Sequence, residues 1–233
     1  MIPIISINFA IISFLSFAIA IHLLSSNNQK HSETALVKEF SYFYFFFGAS
    51  FLSWAIPGLL VDQIEYFELF YLVGYFLFYM AIAYMGYIAL SLSAKHSIAK
   101  LAFNVALALG ILFTIIRFFN SEMPGIEISK NFIFWQPRYP QSLRLLTGLV
   151  SSIIALASAL IFFIQGLNHK QNKFIFTRAR WLAFGMFILF IASLTSFVKG
   201  QRASLTSSLE GTMLAIVALL SILKGVLHKQ PSR

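Results

Sequence analysis

The sequence predicts an all-α, polytopic membrane protein: a bundle of seven transmembrane helices, amino terminus outside and carboxyl terminus cytoplasmic. Three observations predict it. Of 233 residues, 59% are hydrophobic and 11% charged, where a globular domain is about half apolar and about one quarter charged. The apolar residues fall in long unbroken runs, and mean hydropathy is +0.81. Lys and Arg gather between alternate runs.

A spanning helix needs about 20 mostly apolar residues. The first run covers 3–24 and the second 40–61, closed by Asp62 and Glu65. The third, 67–93, is long enough to tilt, and a basic turn with Lys95 and Lys100 follows. The fourth covers 101–119, and the longest loop, 120–142, separates it from the fifth, 145–167. A basic loop, 168–180, leads to the sixth, 181–198. The seventh, 209–227, carries Glu210 and Lys224 near its ends. These spans use most of the chain, so 1–233 reads as a single membrane domain. An Ala-Ile-Ala at 18–20 resembles a signal-peptidase site. The segment lacks a basic n-region and its apolar stretch is too long, so it reads as a retained first span.

Orientation follows from the side on which Lys and Arg accumulate. One side carries Lys30, Lys38, Lys95, Lys100, Lys170, Lys173, Arg178, Arg180, Lys224, Lys229 and Arg233. The other carries Arg117, Lys130, Arg138, Arg144, Lys199 and Arg202. The richer side is assigned to the cytoplasm. It holds only Glu33 and Glu39 as acids, so the whole net charge of +9 falls there. That charge is read as orientation and as attraction to an anionic inner leaflet, not as nucleic-acid binding. The expected location is the plasma (inner) membrane of a bacterium.

The spans are poor in chemistry. Ionisable groups inside a membrane are costly and mark function, and none falls near a predicted midplane. A pump wants a buried carboxylate relay, a retinal protein a mid-helix lysine, a haem helix mid-membrane histidines. None is present. There is no HExxH pair and no cysteine. The expectation is a protein that is not an enzyme, with no cofactor and no metal.

What the spans do contain is small residues and tyrosines. Ala102, Ala106 and Gly110 share a face, as do Ser151, Ala155 and Ala159, and Gly211, Ala215 and Ala218. Such stripes let helix backbones approach closely. They fit packing within one chain and leave a homodimer face open. In the third span Tyr71, Tyr75 and Tyr79 are four apart and share a face with Glu68. A hydroxyl facing lipid is poorly satisfied, so this face is expected to look inward. It is either a ligand-pocket wall or an interhelical hydrogen-bond ladder. Residues 42–47 are six consecutive aromatics and must encircle the second span.

The 120–142 loop is the best external candidate. Residues 126–135 partly alternate apolar and polar, which predicts a short β-hairpin or a lid. Trp135, Arg138 and Tyr139 stand beside Pro137 and Pro140, and Arg117 and Arg144 bracket the base. Such a set suits an anionic or aromatic ligand, or equally a headgroup-level belt. Facing the cytoplasm, Lys170, Lys173, Arg178 and Arg180 suit anionic lipid or an acidic partner.

The layout resembles the N-terminal seven-helix sensor region of bacterial membrane histidine kinases and related signalling proteins. The resemblance rests on FLSWAIPGLLVDQIEYFELFYLVGYFLFY, with Trp54 and then Lys95, and on TRARWLAFG, with Arg178, Arg180 and Gly185. It implies a bundle of this topology that binds a ligand outside and signals inside. That family's region is normally followed by an output domain, while this sequence ends at Arg233. The resemblance then implies a separate signalling partner.

The expected function is that of a sensor binding a small or lipophilic ligand from the extracytoplasmic side. A permease component for a neutral or lipophilic solute and an accessory subunit of a membrane complex are the alternatives.

Overall fold

The structure is a computed structural model and describes residues 3–26, 34–59, 64–120, 122–129, 132–138, 140–197 and 205–228. Among them are seven α-helices: α1 (Ile4–Ser26), α2 (Thr34–Ala55), α3 (Ile64–Ser93), α4 (His96–Phe119), α5 (Gln141–Asn168), α6 (Lys173–Phe197) and α7 (Leu205–Leu227). Between α4 and α5 lie two strands, β1 (Glu122–Ser129) and β2 (Phe132–Arg138). Six of the helices, all but α2, are long and apolar enough to cross a membrane. The protein is therefore a helical, multi-pass membrane protein. Helices suit that solvent because each satisfies its own backbone hydrogen bonds.

The helices coincide with the apolar runs, with two differences. Six of the seven begin before the predicted span, as α6 does at Lys173 rather than 181. Lys, Arg and Gln are good helix formers, so helices continue into flanks where hydropathy has already fallen. The second run was expected to reach 61. Instead α2 ends at Ala55 and a 3-10 turn, Ile56–Leu59, follows. Pro57 explains the stop: it offers no N–H and disfavours helical backbone in the residue before it. Although α2 is long enough to span, it is less apolar. Lys38 and Glu39 sit in its first turns, and serines and tyrosines dilute the rest.

Successive helices run antiparallel. Phe9 meets Phe51 while Phe17 meets Phe45, so α1 and α2 run in opposite directions. Trp54 meets Tyr75 while Phe46 stacks on Tyr84, which sets α2 against α3. Tyr79 meets Phe113 while Tyr84 meets Phe103, which does the same for α3 and α4. The α5–α6 turn is short because the Asn172 side chain caps α6, accepting from Phe174 N at 3.1 Å and Ile175 N at 3.3 Å. Contacts between α1 and α7 close the bundle, and α3 also packs on α5. The Tyr44 hydroxyl donates to Leu219 O at 2.7 Å, tying α2 to α7.

The small-residue stripes lie in these seams. Ala106, Ala155, Ala159, Ala215 and Ala218 are buried. A side chain at Gly185 would meet α7 backbone, with Ala218 O and Ile222 N each 2.9 Å from a Cβ there. Serine hydroxyls pair across the α5–α6 seam. Ser151 Oγ lies 2.5 Å from Ser193 Oγ, and Ser152 Oγ donates to the same oxygen at 3.2 Å. The six aromatics of α2 divide around its circumference as expected, Phe43, Tyr44 and Phe47 inside and Phe45 outside.

The hairpin occupies the predicted stretch. Its strands pair antiparallel, with Ile126 opposite Trp135, Ser129 opposite Phe132, and an irregularity between Glu122 and Gly125. Pro124 falls in that irregularity, where the missing N–H costs no ladder bond.

Candidate functional site

The site is built on the tyrosine face of α3. Tyr71, Tyr75 and Tyr79 are buried, and Glu68 on the same stripe is half-buried. Burial follows from the neighbours that α2 and α4 supply. Trp54 of α2 donates from Nε1 to Tyr71 O at 3.4 Å, and its ring centre lies 5.2 Å from that of Tyr75. The indole fills the space that Gly74 leaves open, so no larger residue fits there. Gly110 of α4 receives Tyr79 in the same way.

Much of α4 is exposed, but one narrow stripe is not: Ala99, Ala106, Gly110, Phe113 and Arg117 are buried. These residues recur at helix spacing and face α3. Arg117 continues the stripe and is 0% exposed. Its Cζ lies 3.8 Å from the Tyr75 ring centre. Nη1 donates to Phe113 O at 3.4 Å and Nη2 to Leu143 O at 3.4 Å. Nη2 also donates to Thr147 Oγ1, which in turn donates to Leu143 O at 2.8 Å. One guanidinium therefore joins α3, α4 and α5.

This grouping makes physical sense only as a set. A buried guanidinium without partners is prohibitively costly. Hydrogen bonds to a charged group contribute about 1.5–3 kcal/mol each, and a desolvated cation–π contact about 2 kcal/mol. Arg144, in the first turn of α5, is half-buried and close enough to Tyr75 to act on it electrostatically. The arrangement holds positive charge at the end of the bundle where the hairpin joins α4 to α5.

The structure thus brings together Tyr71, Tyr75, Tyr79, Arg117 and Arg144. It places Arg117 differently from the sequence reading, which set it at the loop base beside an external ligand. Arg117 is inside the bundle, because the stripe it belongs to packs against α3. Of the loop residues, Trp135 stands on β2 opposite Ile126 and Arg138 opposite Glu122. Tyr139 lies outside the described residues. Thr147 and Gly110 belong to the site, and sequence reasoning gave neither a role in it. The signal for Gly110 was its small-residue stripe. For Thr147 the only signal was a hydroxyl within an apolar run.

At the opposite end, Lys170, Lys173 and Arg180 are exposed and Arg178 is half-buried. Arg180 lies 5.4 Å from the Phe176 ring centre, and Lys224 Nζ lies 3.8 Å from that of Trp181. Among the described residues no three His, Asp or Glu side chains come together as a metal site would require. No protein-family model matches the chain, and no curated protein matches it.

Proposed function

We propose that the protein is a non-enzymatic sensor of the plasma membrane, with seven spans, its amino terminus outside and its carboxyl terminus in the cytoplasm. The observation that carries this reading is Arg117. A wholly buried cation in the last turn of α4 links three helices where the hairpin joins α4 to α5. Intramembrane cations are functional by default. Seven spans and this orientation follow the Lys/Arg distribution, with α2 counted as a span on its length of 22 residues.

In this reading a small or lipophilic ligand with an anionic or aromatic group engages Arg138 and Trp135 on the hairpin, together with Arg144. The hairpin is continuous with α4 and α5. Binding that favours one placement of those helices on α3 changes how Arg117 sits over Tyr75. A ligand shifts such an equilibrium only by its differential affinity for the two packings. The output passes to a separate partner through the basic surface at the other end.

A thermal-shift screen of the purified protein against carboxylate, phosphate and aromatic ligands tests this. The expected result is stabilisation by at least one class, reduced in Arg138→Ala. If no ligand stabilises the wild type and Tyr75→Leu, which removes the ring under Arg117, with Arg138→Ala leaves every phenotype unchanged, the sensor reading fails. Solute flux into proteoliposomes would replace it with a transporter.

A further inference from the structure

A groove of about 610 Å³ runs between α5 and α6, away from the Arg117 site. Its floor is Ala159 and Ala183, both small and buried. Its walls include Leu160, Phe163, Phe184 and Phe187, all exposed. The groove exists because alanines face each other where the two helices meet and large apolar side chains stand on either side.

Three features say what fits it. The first is length. The lining spans residues 156–163 on α5 and 177–187 on α6. At about 1.5 Å per residue this is about 10–15 Å, the depth of one leaflet of a hydrocarbon core about 30 Å thick. The second is polarity. Thr177, Arg180 and Trp181 line one end only, the end nearest the α5–α6 turn. Lys173, Thr177, Arg180, Phe184 and Phe187 fall on one helical stripe, so cation, hydroxyl and cation give way to aromatic rings along a single line. Lys224 of α7 lies against Trp181 at the same end. The third is charge. From residue 128 to 209 the sequence contains no Asp or Glu, so nothing along α5 or α6 repels an anion.

We infer that this groove is a binding site for one anionic phospholipid, its acyl chain along Phe163, Phe184 and Phe187 and its phosphate on Arg180. Arg presents a planar fork that matches phosphate oxygens, and its long stem reaches from the groove to the headgroup level. Trp181 stands where interfacial tryptophans are enriched. The lipid belongs to the leaflet on the Lys/Arg-rich side. The site is separate from the Arg117 cluster and does not depend on it.

The test uses the whole chain in detergent, where membrane sidedness plays no part. Native mass spectrometry and thermal shift compare phosphatidylglycerol, phosphatidylcholine with the same acyl chains, and inorganic phosphate. Retention of phosphatidylglycerol over phosphatidylcholine is expected. Arg180→Gln, an exposed position, is expected to reduce that preference about fivefold, the effect of one cation near a lipid surface. Ala159→Leu, which raises the floor, is expected to weaken both lipids. Lys95→Gln with Lys100→Gln removes two exposed cations at the same end but outside the groove, and is expected to change nothing. The proposal is overturned if Arg180→Gln leaves the preference intact. It is equally overturned if the Lys95/Lys100 control loses as much, or if inorganic phosphate stabilises as well as the lipid.

Discussion

The Arg117 guanidinium stacks on the Tyr75 ring at 3.8 Å, and the arginine is fully enclosed. The pair couples α3 to α4 more tightly than apolar packing would, because a desolvated cation cannot leave the ring without losing its surroundings. Tyr75→Leu is expected to lower stability by about 2 kcal/mol, the value of a desolvated cation–π contact. Tyr75→Phe keeps the ring and is expected to cost much less. Chemical or thermal unfolding in detergent reads the difference. A double-mutant cycle with Arg117→Leu is expected to show positive coupling. Additivity of the two changes would contradict the contact.

Glycines divide by what surrounds them. Gly185→Ala places its methyl 2.9 Å from two backbone atoms of α7. Backbone in a packed helix does not move aside, so overpacking of about 1–3 kcal/mol is expected. Among the described residues, Gly211→Ala meets only Ser196 Oγ, at 3.6 Å. It is expected to be neutral or stabilising by up to about 1 kcal/mol, the helix-propensity difference. Unfolding temperatures of the two variants, measured side by side, check the contrast.

Ser193 is the hub of the α5–α6 seam, bonded to both Ser151 and Ser152. Ser193→Ala is expected to cost about 0.6–1.7 kcal/mol, the range for interhelical hydrogen bonds in membranes. Ser25→Ala, at an exposed position bonded to His22 O of its own helix, serves as the comparison and should change little.

The sequence has no cysteine, so single introduced thiols report sidedness without background. Asn120→Cys and Gln171→Cys are exposed and stand at opposite ends of the bundle. In intact cells an impermeant maleimide is expected to label Asn120→Cys and spare Gln171→Cys. The reverse pattern would invert the proposed orientation.

The sequence by itself determined where the helices lie and that most of them suit a membrane. The reason is local: a hydrocarbon solvent demands long apolar runs whose backbone bonds are internal. The hairpin was legible too, because strand alternation and turn chemistry are local signals. The inward tyrosine face followed from the cost of exposing hydroxyls to lipid. What only the tertiary structure decided is which distant residues meet. Nothing local distinguishes Arg117 at a loop base from Arg117 enclosed by Tyr75, Thr147 and Leu143. Its burial depends on the rotation of α4 about its axis and on Gly110 letting α3 come close. The α5–α6 groove likewise arises from two alanines on different helices, which sequence spacing shows separately and only packing brings face to face.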